Sequence, residues 1–127
     1  MNFLNNYIDN YKEHTFAALR IVLGMLFLFH GTQKLLAFPI EFPFPLNPMI
    51  TAAGVIELVA GTLIMIGFYS RFAAFLASGT MAVAYWIAHG LNSPFPIANG
   101  GELSAIYCFS FLFIAANGPG IWSINKR

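Results

Sequence analysis

Seven side chains in this 127-residue sequence have types and spacings that could do chemistry: Arg20, His30, Lys34, Glu57, His89, Asn99 and Glu102. The first three lie in Ala17 to Ala37, a stretch long enough to span a bilayer, which takes about 20 mostly apolar residues. Cationic groups inside such a span face protein or water and need partners. At about 100° per residue, Arg20, Gly24, Phe27, Gly31 and Lys34 fall on one stripe with His30 at its edge. Glu57 is the single charge of the next apolar run. A lone carboxylate there must be neutral, paired or exposed to internal water. Gly54 and Gly61 share its face, flanked by Ala53 and Ala60, which lets another helix approach closely and points Glu57 at the first one. His89 closes a third run beside Tyr85 and Trp86, and Asn99-Gly100-Gly101-Glu102 opens a fourth. An N-cap Asn99 with Glu102 three residues on resembles a capping box, which competes with a chemical role for Glu102.

The elements that must position these groups follow from composition and punctuation. Apolar residues make up 58% of the chain and charged residues 9%, against roughly a quarter charged in soluble domains, and mean hydropathy is strongly positive. The sequence therefore predicts an all-α polytopic membrane protein: a four-helix bundle forming one membrane domain over residues 1–127, with spans at about 15–38, 49–68, 71–89 and 102–117. The leading polar and aromatic segment has no cleavage pattern and reads as a short interfacial helix through Phe3, Leu4, Tyr7, Ile8 and Tyr11. Pro39, Pro43, Pro45 and Pro48 exclude a regular helix between the first two spans; this is read as a connector rather than a lid. The third span is rich in small residues, a helix-packing surface. The fourth is short for a crossing, so the Asn-Gly-Gly turn before it is expected to dip below the headgroups, where backbone is tolerated only against protein or a watery cavity.

Lys12, Arg71, Lys126 and Arg127 all fall on one side of this topology, and the proline-rich loops carry no Lys or Arg. By the positive-inside rule both termini are cytoplasmic. Counted from the outer ends at about 1.5 Å per residue, Glu57 and His30 lie at nearly the same depth. A His30–Glu57 contact is expected, with Lys34 above it near Glu102 and His89. Arg20, alone in the inner half, either snorkels to the headgroups or reaches across the bundle to backbone carbonyls. Structural ion pairing competes with a ligand-binding polar pocket as the explanation of the set. A net charge of +1 with no basic stripe argues against nucleic acid. The lone Cys108 forms no intrachain disulfide, there is no metal-ligand spacing, and packing is the reading for it.

Taken in order, Arg20, His30-Gly31-x-x-Lys34, Gly54-x-x-Glu57-x-x-x-Gly61, Arg71, His89, Asn99-Gly100-Gly101-Glu102 and Gly118-Pro119-Gly120 before Trp122-Ser123 resemble the DoxX family of small bacterial inner-membrane proteins. The resemblance covers nearly the whole chain. One departure is Asn125, where such tails often have Asp. The resemblance implies a four-helix membrane protein related to subunits of sulfur and quinone oxidoreductase systems, and it matches all seven polar residues above without assigning their roles.

Three functions compete. The first is a redox-associated subunit that binds a quinone or a small oxidised sulfur compound in the outer pocket. There Lys34 and His30 donate hydrogen bonds and His89 or Glu102 relays protons. The sequence has no redox centre of its own, so a bound cofactor or a partner protein must carry the electrons. Haem ligation by His30 and His89 is disfavoured by their different depths. The second is a small-molecule or proton-coupled transporter, for which four short helices give little room unless the chain forms a homo-oligomer. The third is a scaffold whose buried charges only fix the bundle.

Overall fold

The computed structural model describes residues 1–127. Its regular structure is all helical: α1 (Asn2–Asp9), α2 (Lys12–Leu36), α3 (Pro48–Ile66), α4 (Ser70–Tyr85) continued by a π-turn (Trp86–Gly90), α5 (Pro96–Asn99) and α6 (Glu102–Asn117). Three helices are long and apolar enough to cross a membrane: α2, α3, and α4 with its π-turn, at 25, 19 and 21 residues. They measure about 38, 28 and 31 Å against a hydrocarbon core of about 30 Å. α6 is shorter, with 16 residues or about 24 Å.

Local chemistry sets the helix ends. The Asn47 side chain accepts from the Ile50 amide at 2.8 Å and Pro48 takes the first turn of α3, the position where a missing N–H costs nothing. α3 stops at Gly67, which adopts a left-handed φ of 70°. The expected capping box is not made. Gly101, not Asn99, precedes α6, and no side chain caps it, because Asn99 belongs to α5 and turns its amide elsewhere.

The pairing of α2 with α3 is set by the absence of side chains. A Cβ on Gly24 would lie 2.5 Å from the Met65 amide nitrogen, and one on Gly61 2.6 Å from that of Leu28. The two backbones therefore pack antiparallel in direct contact. By contrast, a Cβ on Gly79 of α4 meets nothing within 4 Å. Gly24→Ala is expected to destabilise by about 1–3 kcal/mol through overpacking, and Gly79→Ala to be neutral or to stabilise by up to about 1 kcal/mol through helix propensity; thermal unfolding in detergent distinguishes the two.

The centre is aromatic. Phe27 of α2 meets Phe111 of α6 at 4.8 Å between ring centroids, and Tyr107 stacks on Phe111 at 5.4 Å. α4 lays its buried Ala73, Ala74 and Ala77 against this cluster, and Ser78 donates to the Cys108 carbonyl at 2.7 Å, so Cys108 packs within the α4–α6 seam. Outward faces carry exposed Val22, Val59, Phe75 and Phe109, as a lipid-facing surface requires. α1 stands clear of the core with no buried residue. Its rings form a ladder, Phe3–Tyr7–Tyr11–His14, that ends on Trp122, 5.4 Å from His14.

Candidate functional site: a polar cavity opposite the termini

At the end of the bundle remote from the termini lies a cavity of about 220 Å³ lined by His30, Lys34, Glu57, His89, Ser104 and Tyr107, with Phe27, Met81, Gly100 and Leu103 completing the wall. Its charged floor is an ion pair. Lys34 Nζ donates to both oxygens of Glu57, at 3.0 and 2.9 Å, with the side chains only 13% and 4% exposed. The His30–Glu57 contact expected from depth is not made; Glu57 pairs with Lys34 instead. The reason is side-chain direction. Helical side chains lean toward the helix N-terminus, which tilts Lys34 inward along α2 and Glu57 outward along the antiparallel α3 until they meet. His30 stands edge-on to Tyr107 of α6, with ring centroids 5.9 Å apart. Phe42 of the proline-rich connector covers the Lys34 ammonium at 5.1 Å, a cation–π contact.

His89 is brought in by the π-turn at the end of α4, a wider turn that often marks functional positions. Gly90 permits it, since a Cβ there would lie 2.5 Å from the Trp86 ring. His89 Nδ1 sits 3.0 Å from the Asn99 carbonyl. A carbonyl only accepts, so Nδ1 carries the proton and Nε2 remains the free position of the ring. Asn99 positions rather than lines the cavity. Its buried amide donates to the Tyr85 hydroxyl at 2.9 Å and the Ser93 carbonyl at 3.0 Å, and its oxygen accepts from the Gly101 amide at 2.8 Å. Thus Asn99 and Gly101 of the Asn-Gly-Gly turn are buried while Gly100 is exposed, with the Gly101 amide held by the Asn99 side chain and the Gly100 amide by the Pro96 carbonyl. Asn99→Ala is expected to cost about 1–3 kcal/mol, the penalty of unpaired buried partners, and to speed amide exchange over residues 93–101 in hydrogen–deuterium measurements.

Glu102 is exposed and is not among the cavity-lining residues, so the convergence of Lys34 with Glu102 does not occur. α6 instead contributes Ser104 and Tyr107, which the sequence reading missed. Their spacing of three residues on one helix face was the available signal. Tyr107 is 3% exposed. His30, Ser104 and Tyr107 make no side-chain hydrogen bond within the chain, yet none of their polar atoms is sealed in protein; the sealed unpartnered side-chain atom is Ser70 Oγ. Their polar atoms are therefore open to the cavity. The cavity exceeds what a single water needs but falls below the roughly 300–1,000 Å³ of pockets for drug-sized ligands, which leaves no room for a haem macrocycle between His30 and His89.

Arg20 lies far from this cavity, at the end that carries the termini, and is fully buried. Its guanidinium donates to five carbonyls: Ile64 and Met65 at 2.8 Å, Pro119 and Trp122 at 2.8 Å, and Ile121 at 3.0 Å. Of the two fates open to it, reaching across to carbonyls is the one observed. Asn125 has a backbone role too: its Oδ1 accepts from the Tyr69 amide at 3.0 Å, a contact an aspartate oxygen could also make.

A helical bundle with lipid-facing apolar surfaces, a buried ion pair and a small polar cavity defines an integral α-helical membrane protein. The chain belongs to the DoxX family, whose model matches residues 15–90. An uncharacterized protein of Haemophilus influenzae is 40% identical to it, with 96% of each chain covered. An uncharacterized membrane protein of Mycobacterium tuberculosis is 26% identical over 86% of this chain and 78% of its own. No solved structure matches.

Proposed function

We propose that this protein is a redox-associated membrane subunit that holds the oxygen-bearing head group of a quinone, or a small oxidised sulfur compound, in the cavity opposite the termini. The observation that carries this reading is the set of three unpartnered polar side chains, His30, Ser104 and Tyr107, that open onto one small cavity beside the Lys34–Glu57 pair. All three can donate a hydrogen bond, and the only carboxylate on the wall is already engaged by Lys34. Such a donor-rich site favours a ligand with acceptor oxygens and developing negative charge. A quinone would supply the two-electron, two-proton couple, with a redox partner protein exchanging the electrons. The chain's own groups bind and orient the head group, and His89, fixed through Nδ1, has Nε2 available to take or give a proton.

In this reading α6 makes a fourth crossing, its short length completed by the Asn-Gly-Gly turn at one end and the Gly-Pro-Gly segment at the other. Asn99, Gly101, Gly118 and Pro119 of these two segments are buried, as backbone at membrane depth requires. The four spans form one domain in a bacterial inner membrane with both termini cytoplasmic, which places the cavity toward the outer face.

The test is purification in mild detergent followed by extraction and mass spectrometry of co-purifying small molecules, for wild type, His30→Ala and Ser104→Ala. Wild type is expected to retain a quinone or a sulfur oxyanion, and both variants to lose it while unfolding at the wild-type temperature. An empty wild-type cavity would count against the redox reading. Counterflow of a solute in proteoliposomes would replace it with transport.

A further inference from the structure

At the end that carries the termini, a second groove of about 950 Å³ lies between the start of α2, the start of α4 and the last turn of α6 with its Gly-Pro-Gly extension. Its rim carries three cations, Lys12, Arg71 and Lys126, and one carboxylate, Glu13, an excess of two positive charges. Its wall is apolar, from Phe16 and Leu19 of α2 and Phe113 of α6. α2 packs closely on α3, and α6 on α4, whereas α2 and α6 meet through aromatic rings such as Phe16 and Phe113, 5.8 Å apart. The wall thus continues onto the outer surface, where Leu19 is 48% and Phe113 56% exposed.

The rim has donors to spare. Arg71 spends Nη1 on the Ala115 and Ala116 carbonyls, at 3.0 and 2.8 Å, and its Nε makes no hydrogen bond within the chain. Lys126 donates to the Gly120 carbonyl and to Ser123 Oγ, at 2.5 and 3.2 Å, so its third proton is uncommitted. Lys12 has no ion-pair partner, since the chain's salt bridge is Lys34–Glu57. Gly120 and Ile121 also line the groove, and their backbone amides have no acceptor within the chain.

We propose that this groove binds an anionic phospholipid, its phosphate on Lys12, Lys126 and the free Arg71 N–H, and an acyl chain along Phe16, Leu19 and Phe113. Charge and depth select this ligand together. The cations stand at the helix ends, where headgroups lie, and the next turn of α2 is apolar; basic pockets so placed suit acidic headgroups. A zwitterionic lipid gains from the wall but little from the rim, and a soluble phosphate gains from the rim but not the wall.

The full chain is reconstituted in nanodiscs of equal parts phosphatidylcholine and phosphatidylglycerol, re-extracted in mild detergent, and its retained lipid counted by native mass spectrometry. Wild type is expected to retain phosphatidylglycerol preferentially. Lys12→Gln should weaken retention about fivefold and Lys12→Gln with Lys126→Gln about 25-fold. The Lys12 side chain makes no hydrogen bond or ion pair within the chain, so the single variant should melt as wild type does. Equal retention of both lipids by wild type, or undiminished retention by the variants, overturns the proposal. Displacement of the lipid by inorganic phosphate, but not by chloride at the same ionic strength, overturns it in favour of a soluble phosphate ligand.

Discussion

Arg20→Met is expected to release the C-terminal tail and to cost at least about 3 kcal/mol of stability, since hydrogen bonds to a charged group are worth about 1.5–3 kcal/mol each and unpaired buried acceptors are penalised further. Five carbonyls lose the guanidinium at once, Ile64 alone keeping a second donor in the Gly67 amide. Two of them end α3 and three belong to Pro119–Trp122, so the guanidinium ties the segment after α6 to the end of α3. Trp122 is held there at a left-handed φ of 56°, a conformation that costs a non-glycine residue about 1–2 kcal/mol and persists only while its surroundings enforce it. Beyond it, the Ile124 and Asn125 amides bond to the Ile66 and Gly67 carbonyls at 3.2 and 3.1 Å. Hydrogen–deuterium exchange should show these two amides deprotected in Arg20→Met, and Trp122 fluorescence should shift. Arg20→Lys should be intermediate, because an ammonium has three donors and cannot fork across five oxygens. A tail that stays protected in Arg20→Met would show that the carbonyls find other partners.

The second large effect is expected at the ion pair. Glu57→Gln leaves the Lys34 ammonium buried without a counter-charge, and breaking a buried pair in this way costs about 3–5 kcal/mol. The double variant Lys34→Met with Glu57→Leu removes both charges and should recover most of that loss, since apolar replacement of a buried pair is often neutral or stabilising. Thermal unfolding of the two single variants and the double variant gives the coupling. The same proteins separate structure from function: a double variant that is stable yet retains no small molecule assigns the pair to ligand binding. If it retains the ligand as wild type does, the pair serves the bundle alone.

The sequence by itself determined the elements. Apolar length and punctuation placed the three long helices to within three residues at each end, because a span must match the bilayer and proline or glycine must end it. The Gly24 and Gly61 positions announced which faces of α2 and α3 would touch, and the isolated charges marked Arg20, Lys34 and Glu57 as groups needing partners. Which partners they took was decided only in three dimensions. Counting residues gives the depth of a Cα, whereas Lys34 and Glu57 meet because their side chains lean in opposite senses on antiparallel helices. Glu102 and Asn99 read alike as an end-of-helix pair, yet one faces out and the other is buried, because a separate short helix ends at Asn99 and Gly100, at a left-handed φ of 77°, turns the chain. Tyr107 and Ser104 passed as ordinary members of an apolar helix until α6 was packed against α2. Arg20 found its five carbonyls only because the Gly-Pro-Gly segment folds back beneath the bundle, a long-range return of the chain that no local pattern encodes.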